Sequence, residues 1–513
     1  MCSSDLELPL RVLFEQPRLE GFVAALHTEG KRGGSAAPAL VPANRDLPLV
    51  LSYAQERQWF LWLLDPESTA YHVPSALRLK GQLDLDALQR SFDTLVARHE
   101  SLRTHLHQGD EQTVQVILPE ARIEIALVRS DEAQVKAQVE AEIARPFNLQ
   151  EGPLLRATLL CLSEDEHVLV LVQHHIVSDG WSMQIMVDEL VQLYSAYSQG
   201  QAVQLPALPI QYADYARWQR EWMDAGEKAR QLAYWQTLLG GEQPVLELPF
   251  DHQRPAEQSH RGARLFVELP SALVADLKGL AQREGVTMFM LLLASFQMLL
   301  HRYSGQGDIR VGVPVANRNR METEGLVGFF VNTQVLKADI DGHMTFAQLL
   351  QQVKEQALGA QAHQDLPFEQ LVEALQPERS LSHNPLFQVM FNHQSAAQAN
   401  RDGQQLPGLR VEGLAWDSHT AHFDLSLDTE ESDEGLLASL TYATALFDAS
   451  TLQRFAAHWQ NLLKSVVSDA RHCVADLPIL GSDEQAQMLY QWNPPQPTRA
   501  AHSSVLHKFE QPV

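Results

Sequence analysis

Two adjacent histidines, His174 and His175, are the residues whose type and position in this sequence best suit chemistry. They follow an apolar run rich in β-branched residues at 168–172, which predicts a buried strand. Imidazole is the side chain that gains or loses a proton near pH 7. Because successive strand side chains point to opposite faces, only one of the two rings can face a given cavity.

Asp179 and Gly180 come shortly after the histidine pair and complete the pattern HHxxxDG. Beyond them, apolar residues at helical spacing predict a helix that reaches about Ser198. The pair would thus lie where a central strand gives way to a loop and a helix, a frequent location for functional residues. So short a pattern is equally compatible with core histidines followed by an Asp–Gly turn.

The composition restricts the classes of protein to consider. A chain of 513 residues is too long for one ordinary core, so at least two domains or lobes are expected. The formal net charge of −25 argues against nucleic acid or an anionic membrane as a partner. The three cysteines are scattered and form no CxxC pair, and no signal peptide is visible. These features predict a cytoplasmic protein, and the histidines show no metal-ligand spacing.

Strand and helix patterns alternate along most of the chain and predict an α/β fold. Residues 28–48 are rich in Gly, Ala, Pro and charge and predict a linker. The alternation begins at residue 49, and a Pro-rich stretch after residue 239 is a candidate connection between two lobes, 49–239 and 240–478. Residues 479–513 have the character of a connector to a further domain.

Seven sequence blocks then point together to a known family. They are LSYAQERQWFL (51–61), RHESLRTHL (98–106), HHIVSDG (174–180), YADYARW (212–218), GFFVNTQ (328–334), HQDLPFE (363–369) and RSLSHNPLFQVMF (379–391). In this order they resemble the signature blocks of condensation domains of non-ribosomal peptide synthetases. The resemblance starts near residue 49 and extends to about residue 478.

The resemblance implies a fold and a set of partners. The fold is α/β, with two chloramphenicol-acetyltransferase-like lobes that form a V-shaped pseudo-dimer with a tunnel between them. Residues 1–27 resemble the C-terminal remnant of a peptidyl carrier domain, and residues 479–513 resemble a linker and the start of an adenylation domain. An upstream donor carrier and a downstream acceptor carrier would deliver phosphopantetheine arms. The domain itself would bind no cofactor and no metal, as one monomeric module of a larger chain.

The implied reaction is peptide-bond formation, in which the acceptor's α-amine attacks the donor's thioester. His175 matches the family's catalytic histidine, acting as a base or by positioning the amine. His174, which more often faces away in an alternating strand, would support the loop.

Three further positions are expected to support the site. Asp179 would form a buried ion pair with Arg103, or failing that with Arg98. Gly180 either leaves room for the acceptor arm or occupies a turn that needs positive φ. Asn332 either presents its amide to the tunnel or caps a strand end.

The resemblance also raises finer alternatives. The blocks SYAQERQWFLW and PVANRNR look more like those of domains whose donor ends in a D-residue. Epimerisation of a carrier-bound residue is a second reading, because epimerisation domains share HHxxxDG. A catalytically silent docking platform for tailoring proteins is a third.

Overall fold

The structure is a computed structural model and describes most of the chain. The described residues are 12, 18–23, 37–109, 112–378, 380–395, 406, 408–414, 419–432 and 435–493. Most of the expected carrier remnant, the first part of the expected linker and residues 494–513 of the expected adenylation lead-in lie outside these ranges.

Between residues 49 and 239 the described part of the first half contains seven strands and six α-helices. In chain order these are β1 (Leu49–Val50), α1 (Tyr53–Leu64), β2 (His72–Gly81), α2 (Leu85–Arg98), β3 (Thr104–Gln108), β4 (Thr113–Ile117), β5 (Ile125–Arg129), α3 (Glu132–Ile143), β6 (Leu155–Cys161), β7 (Glu166–His174), α4 (Gly180–Ser198), α5 (Tyr212–Trp222) and α6 (Lys228–Leu239).

The second half has seven more strands and seven helices within its described residues. They are β8 (Gly262–Pro270), α7 (Ser271–Glu284), α8 (Met288–Ser304), β9 (Asp308–Val315), α9 (Met321–Glu324), β10 (Asn332–Asp339), α10 (Phe346–Gln361), α11 (Phe368–Leu375), β11 (Val389–Gln394), β12 (Leu409–Gly413), β13 (Leu425–Ser432), β14 (Gly435–Ala443), α12 (Ala449–Ser468) and α13 (Ser482–Ala486).

Two large sheets organise the two halves, and the mixed α/β class predicted from the sequence is confirmed. The first sheet has the order β12-β2-β7-β6-β5, which puts β7 in the middle. The second has the order β10-β9-β11-β13-β14-β8, and a small third sheet has the order β1-β4-β3. Strand β11 runs parallel to β9 and β13, and β5 parallel to β6; the other pairs are antiparallel.

Strand β7 is apolar along its central residues, 168–172, because it is covered on both faces. Val168, Val170 and Val172 pack into one hydrophobic core of the first half. Leu169 and Leu171 pack into the other, on the opposite face of the sheet. Continuous apolar sequence is typical of such a central strand, and each fully buried aliphatic side chain contributes about 1.5–3 kcal/mol. The strand therefore holds the residues at its end in a fixed position.

One strand of the second half belongs to the sheet of the first. Strand β12 pairs antiparallel with β2, and Val411 lies opposite Leu79 in this register. Leu409 is buried and packs into a core cluster made mainly of first-half residues. The chain therefore returns from the second half to complete the sheet that carries β7, which the sequence pattern did not predict.

The block GFFVNTQ (328–334) becomes a strand only from Asn332. Residues just before it are held by side chains of the first half instead of a neighbouring strand, since Ser182 accepts the N–H of Gly328 and Asp179 that of Phe330. Within the described ranges no single helix has the length and apolar content of a membrane span, although the bent pair α7–α8 does when taken together.

Candidate active site

The histidine pair lies at the junction that the sequence predicted. Strand β7 ends at His174, a single 3₁₀ turn follows at His175–Val177, and α4 begins at Gly180. Asp179 is the N-cap of α4, because its Oδ1 accepts the backbone N–H of Ser182 at 2.8 Å. The change from extended to helical backbone points the two rings in different directions.

His175 is held at three points and keeps one ring nitrogen free. Its backbone N–H donates to the Tyr71 carbonyl at 2.8 Å, and its Nδ1–H donates to the Ser178 carbonyl at 2.7 Å. Its ring packs against Phe329 of the second half, with centroids 4.6 Å apart. A carbonyl can only accept, so Nδ1 carries the proton in the neutral ring and Nε2 carries the lone pair. Nε2 has no hydrogen-bond partner within the part of the chain that the structure describes, and it is not sealed from solvent.

His174 faces the opposite way, as the strand alternation predicted. It is buried, it approaches the rings of His72 and Phe147 edge-on, and its Nδ1 accepts the N–H of Ile176 at 3.1 Å. Burial, with smaller contributions from the nearby rings of His72 and His175, lowers the pKa of His174 to about 3. His174 is therefore neutral near pH 7 and stabilises the turn.

Asp179 is completely buried and ties the two halves together. Its Oδ2 accepts the N–H of Phe330 at 2.9 Å, and its Oδ1 lies 3.2 Å from Nη2 of Arg318. Ser182 completes the network: its hydroxyl donates to the Gly328 carbonyl at 2.8 Å and accepts from Arg318 at 2.7 Å. A buried carboxylate loses its hydration, so it needs hydrogen bonds and an ion pair of this kind to remain charged.

The expected pairing of Asp179 with Arg103, or with Arg98, is wrong. Arg103 donates to the Leu118 carbonyl instead, with Glu100 4.0 Å away. Arg98 pairs with Glu189 at 2.9 Å. Both arginines lie at the end of α2 or just beyond it, and their hydrogen-bond and ion-pair partners are nearby groups of the first half.

Arg318 of the second half takes their place. Its Nη1 donates to the carbonyls of Thr323 and Leu326 at 2.6 and 2.7 Å, and its guanidinium lies over the Phe330 ring. Burial lowers the pKa of Arg318 from its usual value, and the charge of Asp179 opposes that shift. In the sequence, Arg318 is simply an arginine soon after a buried strand, β9. Nothing near it in the sequence connects it to Asp179, which lies 139 positions earlier.

Gly180 is exposed at the first turn of α4, and its φ is not in the left-handed region. The alternative of a turn that needs positive φ is therefore wrong. A Cβ built on Gly180 would meet no atom within 4 Å. The space beside the backbone at this point is open, and the passage of a ligand arm there stays a prediction.

Asn332 fixes a loop. Its Nδ2 donates to the carbonyls of Gln364 and Leu366 at 3.0 and 2.7 Å, and its Oδ1 accepts the N–H of Phe368 at 3.0 Å. Since all these partners belong to the loop before α11, the side chain positions that loop and is not free to present its amide to a ligand.

A small polar pocket of about 10 Å³ lies between the two halves, and its lining includes Ser52, Tyr215, Asn332, Phe329 and Glu369. His175 is not among the residues that line it. Phe329 is also the ring against which His175 packs. Burial raises the pKa of Glu369, and the nearby Arg57, 3.5 Å away, opposes this shift. No group of three or more His, Cys, Asp or Glu side chains arranged to hold a metal occurs among the described residues.

Comparisons with known proteins show the family to which the chain belongs. The family model described as Condensation domain matches residues 48–489. A linear gramicidin synthase chain of Brevibacillus parabrevis is 47% identical over 501 residues, which amount to 95% of this chain and 6% of that protein. The chain thus spans only a small part of the length of this relative.

Solved structures give the same assignment. The X-domain in its complex with OxyB from teicoplanin biosynthesis is 30% identical, with a TM-score of 0.81 over 88% of this chain and 100% of that one. A four domain nonribosomal peptide synthetase bound to AMP and glycine is 25% identical, with a TM-score of 0.77 over 86% of this chain and 34% of that one. The expected fold, α/β with two chloramphenicol-acetyltransferase-like lobes in a V-shaped pseudo-dimer, is confirmed.

Proposed function

Because this chain belongs to the condensation domain family of non-ribosomal peptide synthetases, we propose that it joins two carrier-bound substrates by a peptide bond. The donor is a peptidyl or aminoacyl thioester on an upstream carrier, and the acceptor is an aminoacyl thioester with a free α-amine on a downstream carrier. Both arrive on phosphopantetheine arms, so the domain needs no cofactor of its own. Its place is the cytoplasm, as one module that adjoins an adenylation domain.

The observation that carries this proposal is the unpartnered Nε2 of His175, whose ring packs against Phe329 of the other half. The Ser178 carbonyl selects the tautomer whose Nε2 can accept a hydrogen bond from an amine. Phe329 and the Ser178 carbonyl hold the ring, and the Tyr71 carbonyl holds the backbone, so little reorganisation is needed when substrates bind.

The reaction balances with one imidazole. The amine nitrogen attacks the donor thioester carbon and forms the C–N bond, and the C–S bond then breaks. Nε2 of His175 takes the proton lost by nitrogen and returns it to the departing pantetheine thiolate, which leaves as a thiol. An α-amine has a reference pKa of about 7.7–8.0, so an appreciable fraction is already neutral, and orientation contributes beside proton transfer.

The test uses donor and acceptor carriers loaded with synthetic aminoacyl-pantetheine and mass spectrometry of the acceptor carrier. The proposal predicts a dipeptidyl acceptor and an unloaded donor. D- and L-donors run in parallel examine the finer proposal of a donor that ends in a D-residue, which the blocks at 52–62 and 314–320 suggest. Faster turnover of the D-donor supports this specificity, and equal turnover of both enantiomers contradicts it.

A docking platform is the second candidate, supported by the similarity to the X-domain, which was solved in complex with OxyB. Such a role does not require an accessible imidazole nitrogen, whereas His175 keeps one.

Epimerisation is the third candidate function, and it changes the configuration of one carrier-bound residue without any acceptor. Chiral analysis of a donor incubated with the protein alone distinguishes it from condensation.

A further inference from the structure

The segment before the first strand is docked against the rest of the protein, although the sequence predicted only a linker there. Residues 37–45, here called the N-terminal strap, contain no helix or strand. Leu40 is nevertheless buried, and it belongs to a hydrophobic cluster that includes Tyr212 of the first half and Phe329 of the second. The strap therefore packs into the same cluster as the ring that contacts His175.

Hydrogen bonds and an ion pair fasten the strap to α5. Nε1–H of Trp218 donates to the Pro38 carbonyl at 2.7 Å, and the Ala43 N–H donates to Oδ1 of Asp214 at 2.8 Å. Arg45 forms an ion pair with the same carboxylate, which is buried. Because Asp214 and Trp218 lie in the first two turns of α5, the strap holds the beginning of that helix in place.

The first residue of α5 holds the chain that carries Phe329. The hydroxyl of Tyr212 donates to the Phe329 carbonyl at 2.6 Å and makes a second hydrogen bond with Ser52 at 2.8 Å. A Cβ built on Gly328 would overlap the Tyr212 ring, so no space separates that ring from the backbone. The Phe329 ring in turn packs against His175, with centroids 4.6 Å apart. A movement of α5 would therefore change the support of the His175 ring.

We propose that the N-terminal strap positions His175 through α5 and Phe329, with Leu40 as the residue that anchors the strap. This inference rests on the proposed condensation function and deepens it. The strap bonds to α5, α5 bonds to the Phe329 carbonyl, and the Phe329 ring supports the imidazole. Positioning of this kind speeds the chemical step without adding affinity for either carrier. Loss of the strap's anchor should therefore lower kcat and leave KM unchanged.

The test uses the full chain with Leu40→Ser, which places a small polar side chain in the cluster. Val41→Ser is the matched control, because this neighbouring side chain is 62% exposed. We expect Leu40→Ser to lower kcat roughly tenfold, with both carrier KM values within about twofold of wild type. Leu40→Met, which nearly conserves the volume, should restore most of kcat, and Val41→Ser should match wild type. All variants are assayed well below their melting temperatures, so that the folded fractions are equal.

Two further measurements separate positioning from a general effect on stability. In a His175→Ala background, Leu40→Ser should change the residual rate by less than about twofold, because the group that the strap positions is gone. Exchange of the imidazole C2 hydrogen, followed for each histidine by mass spectrometry, requires no substrate. Leu40→Ser should speed this exchange at His175 and leave it unchanged at His252, an exposed histidine of the second half.

The outcomes distinguish this inference from the proposed function. An equal loss of rate from Leu40→Ser in the wild-type and His175→Ala backgrounds overturns the inference, and so does unchanged C2 exchange at His175. If wild-type protein forms no peptide, the proposed function fails, while faster exchange at His175 in Leu40→Ser still supports the positioning role. If wild-type protein forms peptide and Leu40→Ser matches it in kcat, only this inference fails.

Discussion

At the scale of single residues, the site depends on which ring nitrogen of each histidine already makes a hydrogen bond within the protein. His174 and His175 are adjacent, yet His174 uses its Nδ1 to accept a backbone N–H, whereas His175 uses its Nδ1–H to donate to a carbonyl. The first ring is buried beside Phe147, and the second keeps a lone pair at the lobe interface. Two identical side chains thus have different chemistry because of their hydrogen-bond partners.

Removing one side of the buried ion pair should affect stability before it affects chemistry. Asp179→Ala leaves Arg318 as an uncompensated buried cation and opens the cap of α4, so we expect a loss of about 3–5 kcal/mol in the free energy of unfolding. Arg318→Ala should be comparably destabilising, whereas Arg103→Ala, which breaks contacts elsewhere, should cost less than either. Urea unfolding followed by circular dichroism measures all three, and Arg103→Ala as the most damaging change would refute this assignment.

Gly180 provides a second test at this scale. Gly180→Leu should fold, because a Cβ there meets no atom within 4 Å and the backbone φ is ordinary. The side chain would nevertheless narrow the space beside α4, at a cost of about 1–3 kcal/mol to a passing arm, or roughly 10–100-fold in condensation rate. Melting temperature and dipeptide formation are measured on the same sample. A fully active Gly180→Leu protein would show that no ligand passes this point.

The sequence predicted the site residues whose structural context is set by their neighbours in sequence. It missed the ionic partner that lies far along the chain. The strand, turn and helix around the pair follow from the apolar run at 168–172, the Asp–Gly turn and the helical spacing after it. Arg318 could not be found, because the periodicity of β9 says nothing about which residues of the other lobe lie next to it. Ionic partners so distant in sequence are fixed only by tertiary packing.

At the scale of elements, the site depends on a strand that is supported from both sides. Strand β7 lies in the middle of its sheet, and β12 of the second half closes the far edge next to β2. The sequence gave no indication that β12 pairs with the first sheet, because register and partner choice depend on which surfaces are left to be covered.

The pairing of β12 with β2 can be tested by shortening one buried side chain of β12. Leu409→Ala should cost about 2–5 kcal/mol, because Leu409 packs into the core that lies on one face of β2 and β7. Hydrogen exchange followed by mass spectrometry should show faster exchange in β2. Arg410→Ala is the control in the same strand, since its side chain is exposed and should leave β2 unchanged. Equal protection of β2 in both variants would contradict the pairing.

At the scale of the whole molecule, burial of neutral histidines makes stability depend on pH. The pKa of His174 is about 3 in the folded state and about 6.5 in the unfolded chain, so the unfolded state binds more protons below pH 6.5. The stability contributed by neutral His174 is therefore complete above pH 6.5 and is lost as pH falls towards 3.

His174→Asn should reduce this dependence, since the amide oxygen can accept the Ile176 N–H without titrating. We expect the acid-side loss of unfolding free energy between pH 6.5 and pH 4 to shrink by up to about 3 kcal/mol relative to wild type. His72 faces His174 and titrates in the same sense, so part of the slope should remain. Identical pH profiles for the two proteins would show that His174 is not held neutral by the fold.

The central claim is that one imidazole nitrogen at the lobe interface promotes amide formation, and single-turnover condensation tests it most directly. Donor and acceptor carriers are mixed with wild-type protein and with His175→Ala, and dipeptidyl carrier is followed by mass spectrometry. His174→Asn serves as the neighbouring histidine control. The account predicts product with wild type and the control, and a loss of about 10²–10⁴-fold with His175→Ala at unchanged melting temperature. Product formation by His175→Ala at the wild-type rate would contradict it.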